Sequence, residues 1–254
     1  MRMFGDKEID LVEDFRVIPS EQIAVIGNEE EIDKIIDIIK ISDNWIDSSG
    51  KDQLPPDFYN DKDKIMMEVM RVDDHGYRKH GKTINPTYRK ENQIRKELEE
   101  KGFDKLFPNA KLFVNANTGL PTKEDHNYSY YYNNFQRTIK KHCDNIQNYK
   151  KNHRNYKLIF FIYDESTAYI DAESRNGRKI YGRFHYYFFD KKFVECFIKN
   201  DIDYLIWMTP YKRYEYELEE LQPPKAIVYD IKNISSINNK LIHYDEKRMV
   251  SSEK

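Results

Sequence analysis

The stretch Leu54 to Asp74, LPPDFYNDKDKIMMEVMRVDD, restricts the fold more than any other part of the chain. Ile65 to Val72 is a continuous apolar run interrupted only by Glu68 and Arg71, the pattern of a strand buried on both faces of a sheet. A carboxylate in the middle of such a strand is costly unless a charge compensates it. Asp57 lies on the short segment before, kept short by Pro55 and Pro56. Asn60-Asp61-Lys62-Asp63 between the two is a turn cluster. If the segments pair as a hairpin, Asp57 and Glu68 stand on adjacent strands and can share one hard divalent cation through oxygen ligands.

The 254 residues can bury a large core and read as one α/β domain over 1–244. Within it, residues 22–74 carry the acidic pair, 88–157 form a basic helical segment and 158–231 supply the second half of the sheet. The polar residues 245–254 read as a disordered tail. A formal net charge of -2 conceals an asymmetry: residues 1–77 carry 9 Lys+Arg against 20 Asp+Glu, net -11, and the remainder net +9. That suits an acidic metal-binding part beside a basic surface for an anionic polymer, and equally two oppositely charged halves packed together. Cys143 and Cys196 are too few for a disulfide framework or zinc cluster, and no N-terminal stretch resembles a signal peptide. No run approaches the roughly 18–20 apolar residues of a membrane span. The expectation is a cytoplasmic protein.

Along the chain, Gln22 to Ile26 is a weak strand. Glu29 to Lys40 is a helix with Asn28 as N-cap, Ile32, Ile35, Ile36 and Ile39 on one face, and three glutamates in its first turn. Glu31 flanks the apolar stripe and is placed to join a metal site. Tyr88 to Lys101 and Tyr128 to Tyr149 read as helices, Leu158 to Tyr163 as a buried strand, and Ala168 to Glu173 with Lys179 to Tyr187 as a hairpin around Asn176-Gly177. Asp190 caps a helix over Lys191 to Lys199. Tyr204 to Met208 and Ala226 to Ile231 are strands, with a helix over Lys212 to Leu221 between them. The order describes a mixed central sheet flanked by helices. Asp73, Asp74 and His75 could add metal ligands but read first as polar strand termination, and the 20 tyrosines carry no motif.

Pro56-Asp57, ten residues, then Glu68-Val69-Met70 resembles the signature of the PD-(D/E)XK nuclease-like superfamily, the restriction-endonuclease-like fold. That arrangement is a helix bearing an acid, a strand bearing the Asp, a strand bearing (D/E)-x-K, then a helix and further strands. The resemblance implies Mg²⁺ or Mn²⁺ held by Asp57 and Glu68, with Glu31 from the preceding helix, and hydrolysis of phosphodiester bonds in DNA or RNA. One position departs from it: Met70 stands where the family has its lysine. A substitute from a neighbouring element would restore activity; otherwise the chain is a catalytically inactive nuclease-fold module that binds nucleic acid or protein.

For nucleic acid, DNA foremost, the best contact stretch is Gln136 to Lys157. It carries Arg137, Lys140, Lys141, Lys150, Lys151, Arg154 and Lys157 against Asp144 alone, the composition that neutralises phosphates without regard to sequence. Tyr149 and Tyr156 within it are candidate stacking surfaces for unpaired bases. A homodimer is compatible with this reading.

Overall fold

Eight consecutive residue pairs, from Ile65 with Lys157 to Val72 with Asp164, join two buried segments in parallel at the centre of the protein. The computed structural model describes residues 2–3, 7–50, 56–114, 116–121, 123–176, 178–213 and 222–252. Its strands are β1 (Arg2–Met3), β2 (Ile23–Ile26), β3 (Ile46–Asp47), β4 (Phe58–Asn60), β5 (Ile65–Val72), β6 (Tyr77–Lys79), β7 (Lys82–Ile84), β8 (Lys111–Leu112), β9 (Lys157–Asp164), β10 (Tyr169–Arg175), β11 (Arg178–Phe184), β12 (Tyr204–Met208), β13 (Ala226–Asp230) and β14 (Met249–Ser251). Its helices are α1 (Glu8–Arg16), α2 (Glu29–Lys40), α3 (Pro86–Glu100), α4 (Phe103–Leu106), α5 (Tyr128–Cys143), α6 (Ile146–Asn152) and α7 (Lys191–Val194).

The central sheet has seven strands in the order β2-β13-β12-β9-β5-β4-β3. β5, β9 and β12 run parallel; β4 is antiparallel to both β3 and β5, and β13 is antiparallel to β12. Alternation along the strands divides the core in two. Ile65, Met67 and Val69 meet Leu11, Val12 and Phe15 of α1 and Ile32, Ile35, Ile36 and Ile39 of α2 on one face. Met66, Met70 and Val72 meet Tyr131, Phe135 and Ile139 of α5 and Phe193 and Val194 of α7 on the other. The architecture is thus a mixed α/β sheet with helices on both faces. A smaller sheet, β11-β10-β14, adjoins the α5 face and contributes Tyr169 and Met249 to that core.

Several sequence expectations change here. Helix α1 escapes a periodicity reading because its stripe is only Leu11, Val12 and Phe15 among acids. The helix expected over 128–149 is interrupted at Asp144-Asn145, which separates α5 from α6. The helix after Asp190 is regular only to Val194. The expected helix 212–221 falls almost wholly outside the described residues, as does Gly177 of the expected turn. The largest correction concerns the tail. Residues 245–252 are ordered into the fold: β14 pairs with β10, Met249 is buried, and Arg248 bonds Asp171 at 2.6 Å and Glu173 at 2.8 Å. Its polarity misleads because the opposing acids lie some 75 residues earlier in sequence.

At the end of β9, Asp164 is fully buried. Its Oδ2 accepts from Trp207 Nε1 at 2.8 Å and from the Tyr131 hydroxyl, and Lys212 Nζ stands 3.4 Å away. Burial pushes the Lys212 ammonium below its ordinary pKa while Asp164 opposes that shift. Removing one partner of such a pair leaves the other charge uncompensated. Asp164→Asn is therefore expected to lower unfolding free energy by about 3–5 kcal/mol in urea titration. Asp164→Asn combined with Lys212→Met should recover part of the loss.

Candidate metal centre on the β4–β5 hairpin

The hairpin forms as the sequence expects, and its register decides the site. Phe58 faces Met67 and Tyr59 faces Met66, so Asp57, one residue before β4, lies opposite Glu68. Asp57 Oδ2 accepts from the Val69 backbone N–H at 2.8 Å. Burial raises the Asp57 pKa, the Glu68 charge raises it further, and together they push it up to about 7 against the opposing Val69 hydrogen bond. The two carboxylates are close enough for the Glu68 charge to act on Asp57.

Glu68 is buried, 8% exposed, and its partners come from the basic segment. The Tyr149 hydroxyl donates to Oε1 at 2.9 Å, and His142 Nδ1 lies 2.8 Å from the same oxygen. Both bonds converge on Oε1, which leaves Oε2 for a cation shared with Asp57. The donor set fits a hard divalent ion: carboxylate oxygens on facing strands, mutually repulsive when both are charged. His142 and Tyr149 were not readable as site residues. Their signal is tertiary, since α5 and α6 must fold over β5 before 142 and 149 meet 68.

The remaining predicted residues are placed as follows. Glu31 does not join the pair. Its carboxylate engages Lys34 at 3.5 Å and Lys157 at 3.4 Å, and Lys157 also reaches the Tyr204 hydroxyl. Tyr204 belongs to the α1–α2 face and Glu68 to the α5 face, so the sheet separates them. Met70 is buried among apolar side chains of the α5 face. Of the basic residues, Arg137 donates to Asn134 at 2.8 Å, Lys140 pairs with Asp144 at 3.6 Å, and Lys150 pairs with Asp201. Lys141, Lys151 and Arg154 are exposed. All six lie on α5, α6 or the turn after it, on the side of the sheet that bears Glu68. Tyr149 is not a stacking surface, because it is buried against Glu68. Tyr156 bonds Asp61 and carries Lys64 Nζ 5.0 Å from its ring centre.

No family model, curated protein or solved structure matches this chain. Among the described residues no helix is long and apolar enough to cross a membrane.

The raised Asp57 pKa gives a signed prediction. A carboxylate with a higher pKa folded than unfolded holds an extra proton in the folded state between the two values, so stability falls as pH rises through that window. The ordinary value is about 3.9 and the folded one about 7. Metal-free Asp57→Asn, whose side-chain oxygen can still accept from Val69, is expected to melt several degrees above wild type at pH 8. The advantage should shrink steadily towards pH 4.5. Calorimetric melting across that range checks it, and a variant less stable at pH 8 would refute the uncompensated pair.

Proposed function

We propose that the protein is a divalent-metal-dependent nuclease of the restriction-endonuclease-like kind, with Asp57 and Glu68 holding Mg²⁺ or Mn²⁺ and the α5–α6 surface holding a nucleic-acid backbone. One observation carries the reading: the hairpin register sets the two acids opposite each other, with Asp57 raised by burial and by Glu68. Two more support it. With β6, β7, α3, α4 and β8 inserted before α5, and α6 after it, the succession α2, β3, β4, β5, α5, β9 is similar to the family arrangement of helix, strands bearing the acids, helix and strand. The basic segment reaches Glu68 directly through His142 and Tyr149, so a bound phosphate chain would run past the acids.

A cation bound there would supply a nucleophilic hydroxide near neutral pH and neutralise charge on the phosphoryl oxygens. The chain's own residues do the rest. His142 and Tyr149 fix the Glu68 carboxylate and leave one oxygen free. Lys141, Lys151 and Arg154 neutralise phosphates by their exposed charges. His142, 2.8 Å from Glu68 and able to carry positive charge, takes the part of the absent lysine as a positioning residue.

A second reading is favoured by the burial of Met70 and the engagement of Glu68 Oε1 by His142 and Tyr149: the same surface binds nucleic acid without cutting it. Supercoiled plasmid, single-stranded DNA and RNA incubated with Mn²⁺ or Mg²⁺ separate the two. Cleavage by wild type that is abolished in Glu68→Ala, and reduced roughly 10–100-fold in His142→Ala as for other residues that orient a ligand, establishes the nuclease. Binding without cleavage, weakened by Lys141→Glu and Lys151→Glu, establishes the silent module.

A further inference from the structure

Beyond the last residue of β5, a second polar cluster stands apart from the hairpin. Asp74 is fully buried. Its Oδ2 accepts from the Thr167 N–H at 3.0 Å, the Thr167 hydroxyl at 3.0 Å and the Tyr169 hydroxyl at 2.5 Å. Those bonds fix the carboxylate, and its Oδ1 meets two imidazoles, His126 Nδ1 at 3.1 Å and His75 Nδ1 at 3.6 Å. One ligand atom from each of Asp74, His75 and His126 lies within 4.8 Å of the others. His75 Nδ1 is buried and also 3.4 Å from Asp125 Oδ1. The ring nitrogen thus stands between two carboxylates, a position that favours positive charge.

A tetrahedral Zn²⁺ with bonds of about 2.0–2.1 Å holds its ligand atoms about 3.3 Å apart. The separations of 3.1 and 3.6 Å bracket that value. Two imidazole nitrogens and one carboxylate oxygen form a set for Zn²⁺ and its neighbours in the transition series, whereas Mg²⁺ takes oxygen.

We propose that Asp74, His75 and His126 form a three-ligand site for a divalent transition metal, Zn²⁺ foremost, with its fourth position open to the adjoining cavity. That cavity has a volume of about 940 Å³ and is lined by His75, Asp125 and His126 together with Asp73, Glu91 and Arg95. It lies past the carboxyl ends of the parallel strands β5 and β9, where open α/β sheets present ligands. Both histidines are 20% exposed, which gives an ion its entry path. The surroundings are tied together by bonds of their own. Asp125 accepts from Thr87 and Thr118. Gly76 lies so close to Tyr130 that a Cβ there would stand 2.4 Å from the ring, which pins the segment carrying His75 against α5. His126 holds a left-handed backbone, φ 52°. A filled fourth position would take water or an anionic group of a molecule in the cavity, as open zinc sites do.

The test uses the full chain stripped with chelator. Zn²⁺ is titrated by calorimetry and Co²⁺ by visible absorption, in wild type, His75→Gln, His126→Asn and the Asp57→Asn plus Glu68→Gln double variant. Asparagine is chosen at 126 because it tolerates the left-handed backbone and its amide can still donate to Asp74. The expected result is one Zn²⁺ per chain, a four-coordinate Co²⁺ spectrum, affinity at least roughly tenfold weaker in each histidine variant, and no change in the hairpin variant. Melting of the metal-free forms confirms that the variants fold, and if one does not, the other decides. No Zn²⁺ binding by wild type, or equal affinity in a folded histidine variant, would overturn the proposal and leave the histidines as charge partners of Asp74 and Asp125.

Discussion

The parallel pairing of β5 with β9 is the constraint from which the polar features follow. Both strands are covered on both faces, so any charge they carry needs a partner brought to it. Glu68 receives His142 and Tyr149 from α5 and α6. Arg71 receives Glu165, one residue past β9, at 2.8 Å. Where the ladder ends, the acids are still inside. Asp164 is met by Tyr131, Trp207 and Lys212, and Asp74 by Tyr169 and Thr167. Asp190, capping α7, is met by the Tyr128 hydroxyl at 2.6 Å and by His185 at 2.8 Å. Helix α5 is therefore more than a cover for the sheet: its first turn supplies phenols to Asp190 and Asp164, and its last turn supplies an imidazole to Glu68. Phenols suit this task because each fills apolar volume with its ring and ends in one strong donor.

That account shows why part of the molecule was legible and part was not. The apolar runs at 65–72, 158–163 and 204–208 name their strands because burial on both faces leaves little else in them. Asn28 and the isoleucine stripe name α2, and Asp190 names the start of α7. The opposition of Asp57 and Glu68 follows from local spacing across a turn. Tyrosine, by contrast, was uninformative in sequence, since one that donates to a buried carboxylate looks like one on the surface. Tyr149 shows the difference: a run of lysines around it suggests base stacking, while its hydroxyl is committed to a carboxylate 81 positions earlier. The same distance hid β14 and the meeting of His75 with His126. Glu31 erred in the other direction. A helical wheel places it beside the apolar stripe but cannot say which face of the sheet that stripe covers.

The two acidic clusters on β5 differ in how their charge is balanced. At the hairpin, burial and a neighbouring carboxylate both raise Asp57, and only a backbone N–H opposes them. At the strand end, burial raises Asp74 as well, but His126, His75 and Tyr169 together hold it well below the usual carboxylate range. Without any ion the first cluster repels itself and the second coheres. A cation at the hairpin would therefore relieve a defect in the bare fold, whereas one at the strand end would take the place of protons in a network already held together. Glu68 and Val72 are about 13 Å apart along the strand at roughly 3.3 Å per residue, and Asp74 lies beyond Val72. Sites so separated and without shared partners respond independently to substitution. Loss of one cluster thus need not carry the other with it, and the chain can be dissected one end of β5 at a time.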